Sequence, residues 1–394
     1  MKRRKITSFS LVVISALVVI VIFLTDLCAC GGGGAQLTPP PPPTPMQAFV
    51  YTPNGGSDDV TALKEDVNTG ALSTVSGSPF HAGDINENVP GVITATSSGK
   101  FLYVGNANSA HISAFSINGT TGVLTEVAGS PFPSGASASV RVHPSGKFLY
   151  AANFDQGSIS VFAIDAATGA LSEILGSPFG LPGLVMSLAL HTSGKFLYAT
   201  YAGTDGLLGI GVFSVDPNTG VITRLAHSRL DLQAGNLTMH PSGKFLYSAR
   251  NNLFLMFSAA GGTAGIWTMT VDSVTGALTL PSNQATPAVN PTEVAIDPSQ
   301  KFAYASDDVQ GTVGQFTIDS STGVLTHVAD VKAGDQPFSL STDAAGKFVY
   351  VANAVSNDIS VFAINANTGG LTAISGSPFP AGTTPRALVS VSPH

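Results

Sequence analysis

Charged side chains make up only 10% of this 394-residue chain, so each one near a strand or loop tip stands out. Arg141 lies in Val140-Arg141-Val142 and Glu293 in Thr292-Glu293-Val294, both within apolar stretches. An arginine and a carboxylate facing one cavity can hold a polar ligand between them. With water they can also do acid–base chemistry, the cation steadying negative charge while the carboxylate moves a proton. Other charges sit in polar segments: Asp58-Asp59, Asp205, Arg250, Asp307-Asp308, Asp335 and Arg386. The competing reading is solvated loops plus one buried ion pair, because structural networks use the same residue types. His143, His191 and His240 recur at one spacing and suggest zinc at first sight.

These residues are positioned by a repeat. Ser145-Gly146-Lys147-Phe148-Leu149-Tyr150 has near copies at 98–103, 193–198, 242–247, 299–304 and 345–350, and a shortened one at Phe49-Val50-Tyr51. A second marker, Thr-Gly before an apolar run, follows each copy, at Thr69, Thr121, Thr168, Thr219, Thr275, Thr322 and Thr368. The phenylalanines at 49, 101, 148, 196, 245, 302 and 348 are spaced close to 50 residues apart. Such a period with turn signals inside each unit indicates a propeller. In one unit the pattern predicts strands over 140–142, 148–152, 159–164 and 171–175. The turns fall at His143-Pro144-Ser145-Gly146 and 165–169, and Gly176-Ser177-Pro178-Phe179 leads onward. The third strand, Ile159-Ser160-Val161-Phe162-Ala163-Ile164, does not alternate cleanly, as expected of sheets covered on both faces. The first unit lacks a first strand, and residues 387–393 form a first strand with nothing after it. Joining them avoids two exposed edges. The predicted fold is all-β, a seven-bladed β-propeller closed by its C-terminal strand, which completes the first blade.

This layout sorts the chemistry. The histidine column is occupied elsewhere by Thr96, Asp297, Asp343 and Ser392, so it reads as a turn-capping position. It falls away from the ligand-bearing mouth, and separate blades hold its members too far apart for zinc bonds of about 2 Å. The loops before each first strand and after each second strand crowd around the mouth, and the charged loop residues named above are expected there. The fifth unit is irregular. An apolar insertion, Leu253-Phe254-Leu255-Met256-Phe257 followed by Gly261-Gly262, lies beside the only tryptophan, Trp267. Phe254 and Phe257 are candidates for a lid or partner-binding patch, or for an extended strand with a loose tip.

The leader is of a different kind. Lys2-Arg3-Arg4-Lys5 precedes an apolar run over 11–24, too short for a comfortable membrane span but suited to a signal peptide. Leu27-Cys28-Ala29-Cys30 resembles a bacterial lipobox, which implies cleavage before Cys30 and lipidation of its thiol. The expected organisation is a signal peptide over 1–29, a lipidated cysteine and Gly/Pro-rich tether over 30–46, and the propeller over 47–394. Eight extended residues in the polyproline stretch would hold the domain roughly 25 Å off the membrane. Loss of the leader takes the chain from 17 basic and 24 acidic residues to 13 and 23. That acidic balance leaves no footprint for nucleic acid. Both cysteines precede the propeller, which excludes a disulfide, a cysteine nucleophile or a thiolate metal site within it. No cofactor is expected, no EF-hand loop occurs, and a monomer anchored outside the cytoplasm to the bacterial envelope is expected.

The repeat text, Gly-Lys-Phe-Leu-Tyr-Val-Ala-Asn with Val-Phe-Ala-Ile, Thr-Gly-x-Leu-Thr and Gly-Ser-Pro-Phe, resembles the lactonase-type β-propeller family over residues 47–393. Its best-known members are 6-phosphogluconolactonases, and related proteins carry YVTN-type repeats. The resemblance implies a Pro-Arg-His signature early in an inner strand and Asn-Glu after a second strand. Only Pro385-Arg386 matches the first, with Ala387 in the histidine position; Asn106-Ala107, Asn153-Phe154 and Asn353-Ala354 depart from the second. The leading expectation is an anchored module that binds small polar ligands, glycans or proteins. A lactone hydrolase, with Arg141, Glu293 or Arg386 in the site, is the alternative. A purely architectural envelope protein is a third.

Overall fold

The computed structural model describes residues 47–83, 93–203, 208–230, 234–251, 264–280, 286 and 290–393. They form seven antiparallel blades of four strand positions each, in chain order from the axis outward. In the third blade the inner strand is Ser137–Val142, the second Phe148–Asn153, the third Ser158–Ile164 and the outer one Leu171–Glu173. The remaining blades span 93–133 (second), 183–230 (fourth), 236–279 (fifth), 291–332 (sixth) and 337–380 (seventh). Second strands such as Phe148–Asn153, Phe245–Arg250 and Phe348–Asn353 are buried along their whole length, because neighbouring blades cover both faces.

Blade one confirms the closure. Its second strand, Ala48–Asn54, pairs on one side with Asp59–Glu65 and on the other with Val389–Val391, with Phe49 opposite Val391 and Tyr51 opposite Val389. A single bridge between Asn54 and Pro385 continues the contact towards the mouth. The outer strands differ from the expected 171–175. The strand ends at Glu173, Leu175 is 96% exposed, and Phe179–Gly180 returns to pair with the third strand. Gly176 at a φ of 89° and Pro178, which has no N–H, interrupt the ladder. The Ser177 hydroxyl fills the gap by accepting the Val161 N–H at 2.9 Å. Ser78, Ser130 and Ser377 do the same in blades one, two and seven.

The two repeated markers meet at the seams between blades. The repeated phenylalanine of each second strand packs on the Thr-Gly glycine of the following blade: Phe49 on Gly122, Phe101 on Gly169, and finally Phe348 on Gly70. A Cβ on Gly169 would lie 2.3 Å from the Phe101 ring, and its φ of 76° already favours glycine. Two residues on, the tyrosine hydroxyl donates to the same glycine's carbonyl, as in Tyr103 to Gly169 and Tyr150 to Gly220, at 2.9 and 3.0 Å. The hairpin offering that carbonyl is set by its aspartate: Asp165 accepts the N–H groups of Ala167 and Thr168. Removing one hydroxyl leaves a buried carbonyl unsatisfied, so Tyr150→Phe should cost about 1–2 kcal/mol in denaturant unfolding. Gly169→Ala, which adds both a clash and an unfavourable φ, should cost about 2–4 kcal/mol in the same measurement.

The closing seam departs from this rule. At the register opposite the first residue of the outer strand, six blades place Ile117, Ile164, Val215, Val271, Ile318 and Ile364, whereas blade one places Glu65. Glu65 is 4% exposed. The Tyr350 hydroxyl lies against its carboxyl without a well-aligned partner, where the other six tyrosines reach a glycine carbonyl. Burial pushes the Glu65 carboxyl up to about 7; Asp343 and Asp66 add to this, while Tyr350 and Lys347 oppose it. Lys347 meanwhile reaches across the seam to the Val67 carbonyl at 3.1 Å. The folded state therefore binds this proton more tightly than the unfolded chain, whose glutamate titrates near 4.5. Stability conferred by protonated Glu65 is complete below that value and is lost as pH rises through about 7. Thermal unfolding of Glu65→Gln should match the parent at pH 4.5 and exceed it by about 1–3 kcal/mol at pH 8.

Candidate functional site

Inner strands start at the mouth and carry small polar residues that stitch one blade to the next. Ser139, Ser187 and Ser339 accept the N–H groups of Leu188, Leu237 and Leu388 at 3.3, 3.0 and 3.1 Å. The Leu388 bond fixes the segment carrying Arg386, whose neighbours Pro385 and Ala387 are buried. The Arg386 guanidinium lies 4.5 Å from the centroid of the Phe338 ring at the start of the seventh blade's inner strand. Phe338 is buried, so the cation rests on an aromatic face beside the channel.

The sixth blade supplies the opposing charge. Asp307 ends its second strand and is consumed by backbone: it accepts the N–H groups of Asn290, Val309 and Gln310 at 2.9, 3.1 and 2.9 Å. Asp308 is held differently, taking the side-chain amide of Asn290. Burial raises the Asp308 carboxyl above the usual carboxylate range, with Asp307 adding to the shift, while Asn290 and Arg386 pull it back. Arg386 from blade one and Phe338 from blade seven thus meet at the mouth, where the arginine also acts electrostatically on Asp308 of blade six. Arg250, the last residue of the fifth blade's second strand, is 3% exposed with its guanidinium 5.8 Å from the Trp267 ring centroid. The sector across blades three and four is apolar: Phe154, Leu184, Met186 and Ala202 form a small cluster there.

Arg141 and Glu293 are brought together elsewhere. Both line a cavity of about 350 Å³ that also touches Pro144 and Thr192, which places it at the end of the channel away from the mouth. The two reach from blades three and six and interact electrostatically. Protein encloses both groups almost completely, although each keeps some surface along this cavity. Glu293 accepts the Ser339 hydroxyl at 2.6 Å and the Leu340 N–H at 3.3 Å, and Arg141 donates to the Val140 carbonyl at 2.9 Å. Burial raises the Glu293 carboxyl and lowers the Arg141 guanidinium, and each partner opposes the shift of the other. Such a pair braces the channel across its width.

The histidine column caps turns, as its chemistry suggested. His143 Nδ1 pairs with Ser145 at 2.8 Å, and its Nε2 meets the Gly194 carbonyl of the next blade at 2.9 Å. His191 repeats the arrangement with Ser193 and Gly243. Among the described residues no cluster of histidine, cysteine and carboxylate side chains could hold a metal ion. Cys30, Asp205, Phe254 and Phe257 lie outside the described residues. A cavity of about 670 Å³ runs along blade six from Asp307 and Gln310 to His327 and Asp330, and neither Arg250 nor Arg386 lines it. Sequence reasoning missed Asn290 and Phe338. Asn290 precedes an inner strand and carried a usable signal; Phe338 meets Arg386 only through ring closure.

The family model described as lactonase, seven-bladed β-propeller, matches residues 43–136, 131–229, 229–329 and 268–385. Among curated proteins no sequence matches the chain. A putative 6-phosphogluconolactonase from Bacteroides fragilis superposes with a TM-score of 0.73 at 22% identity, over 89% of this chain and 99% of that one. One from Bacteroides uniformis gives 0.74 at 20%, over 88% and 100%. The periplasmic gluconolactonase PpgL of Pseudomonas aeruginosa gives 0.71 at 17%, over 89% and 99%. At these identities the superpositions speak for the fold. With the family model matching across all seven blades, the chain belongs to the lactonase family of seven-bladed β-propellers.

Proposed function

We propose that this protein, anchored outside the cytoplasm through Cys30, binds a sugar-type lactone at the channel mouth and opens it with water. The observation that carries this reading is Arg386 stacked on Phe338 and in electrostatic reach of the part-buried carboxyl of Asp308. Family membership and the gluconolactonase PpgL among similar folds point to the same chemistry. The leader sequence and the tandem Cys28-Ala29-Cys30 support the location. Asp308 takes a proton from water as its oxygen adds to the lactone carbonyl, and Arg386 steadies the resulting oxyanion. The ring C–O bond then breaks, the ring oxygen takes up a proton, and a hydroxy acid leaves. The raised Asp308 carboxyl makes it a stronger base than an ordinary aspartate once ionised, so the rate should rise with pH as that group deprotonates.

A second reading, a module that binds polar ligands without turnover, is favoured by one feature. Ala387 is buried in the histidine position of the Pro-Arg-His signature, so no imidazole follows Arg386. Acid release from a lactone panel by protein expressed from the full sequence separates the two. On the hydrolase reading, Arg386→Ala should lower kcat/KM about 10²-fold or more, and Asp308→Asn by a similar factor with loss of the pH dependence. Rates equal to spontaneous hydrolysis, with binding abolished by Arg386→Ala, would establish the binding module instead.

A further inference from the structure

Resting on the lactone reading above, we infer that the mouth selects an uncharged lactone and turns away one that carries a phosphate. The two faces of the propeller differ in charge. Away from the mouth, exposed Lys100, Lys147, Lys195, Lys244, Lys301 and Lys347 nearly balance the carboxylates of that face, Asp66, Asp165, Asp216, Asp272, Asp319, Asp297 and Asp343. Among the described residues, the loops on the mouth side carry three cations: Arg250, Lys332 and Arg386. The same loops hold Asp58, Asp59 and Asp155 in blades one and three. Asp307, Asp308, Asp335 and Asp358 add four more in blades six and seven. Seven carboxylates against three cations make the approach to the mouth negative, and a phosphate dianion meets that field before any contact forms.

Contacts at the mouth argue the same way. Recognition of a phosphate calls for a bidentate arginine or a lysine aimed at the site. Arg386 rests on Phe338 and already interacts electrostatically with Asp308. Arg250 is enclosed against Trp267. Lys332, at the end of an outer strand, donates to the Gln310 carbonyl at 2.8 Å. The apolar sector of Phe154, Leu184 and Met186 suits the C–H face of a neutral ring. The field also acts after the chemistry, because ring opening turns a neutral substrate into a carboxylate that the mouth repels.

The test compares glucono-δ-lactone with its 6-phosphate, using protein expressed from the full sequence. Turnover is followed as acid release, and calorimetry measures binding of the non-hydrolysable δ-lactam and its 6-phosphate. The expected result is at least a tenfold preference for the neutral compound in kcat/KM and in lactam affinity. The preference should shrink as salt rises from 50 to 500 mM, and Asp335→Lys should reduce it several-fold. Equal or tighter binding of the phosphate, or no binding of either lactam, overturns the inference. If neither lactone is turned over but the neutral lactam binds preferentially, the hydrolase reading fails while the selection for a neutral ring stands.

Discussion

The structure depends on a contact between an aromatic ring and a glycine, made once at every seam. Phe101 presses on Gly169 where no Cβ would fit, and Tyr103 holds that glycine's carbonyl from below. The ring buries apolar area, while the hydroxyl gives direction to a surface that packing alone would let slide. Because the hairpin aspartate shapes the turn that offers the carbonyl, this seam is specified by four residues from two blades. Blade order then follows from sequence order, with the ring–glycine contact present at all seven seams and the tyrosine bond at six of them.

That regularity explains how a chain so poor in charge can place a few charged groups with accuracy. Arg386 is held by neighbours that belong to the scaffold: a bridge from Pro385 to Asn54 and a hydrogen bond from Leu388 to Ser339. Asp308 follows an aspartate wholly engaged in shaping its loop. The cross-channel pair of Arg141 and Glu293 rests on Ser339 as well, so the brace inside the channel and the segment carrying Arg386 share a support. Deep burial of such a pair is costly unless its remaining donors and acceptors are met, and here the Ser339 hydroxyl and the Leu340 N–H help to meet them.

The fold was legible in the sequence because its determinants recur: Thr-Gly is visible seven times and Gly-Lys-Phe five, and each copy corroborates the others. The histidines were legible for the opposite reason, since their replacement by Thr96, Asp297 and Asp343 excluded a shared metal and left only turn capping. The mouth was legible in part. Arg386 stood out from Pro385-Arg386, and Asp308 from its loop, but their nearness requires blades one, six and seven to meet around the ring. Neither is a neighbour of the other in sequence, and no local pattern encodes the distance. Glu65 went unnoticed because each strand was read for its own apolar content. Its oddity shows only when seven registers are laid side by side. The broken outer strand was likewise obscured, since Gly-Ser-Pro-Phe reads as a connector although its phenylalanine rejoins the sheet.

The closing strand has a consequence for the order of events during synthesis. Val391 pairs with Phe49, so the first blade waits until the other six blades have been made before its sheet is complete. Contacts of such long sequence separation form late and slowly. Arg386 lies only a few residues before that strand. A chain interrupted on the ribosome or clipped ahead of Arg386 would therefore lose the mouth arginine and the ring closure together. Ring closure and the Arg386–Phe338 contact are coupled in a single short segment.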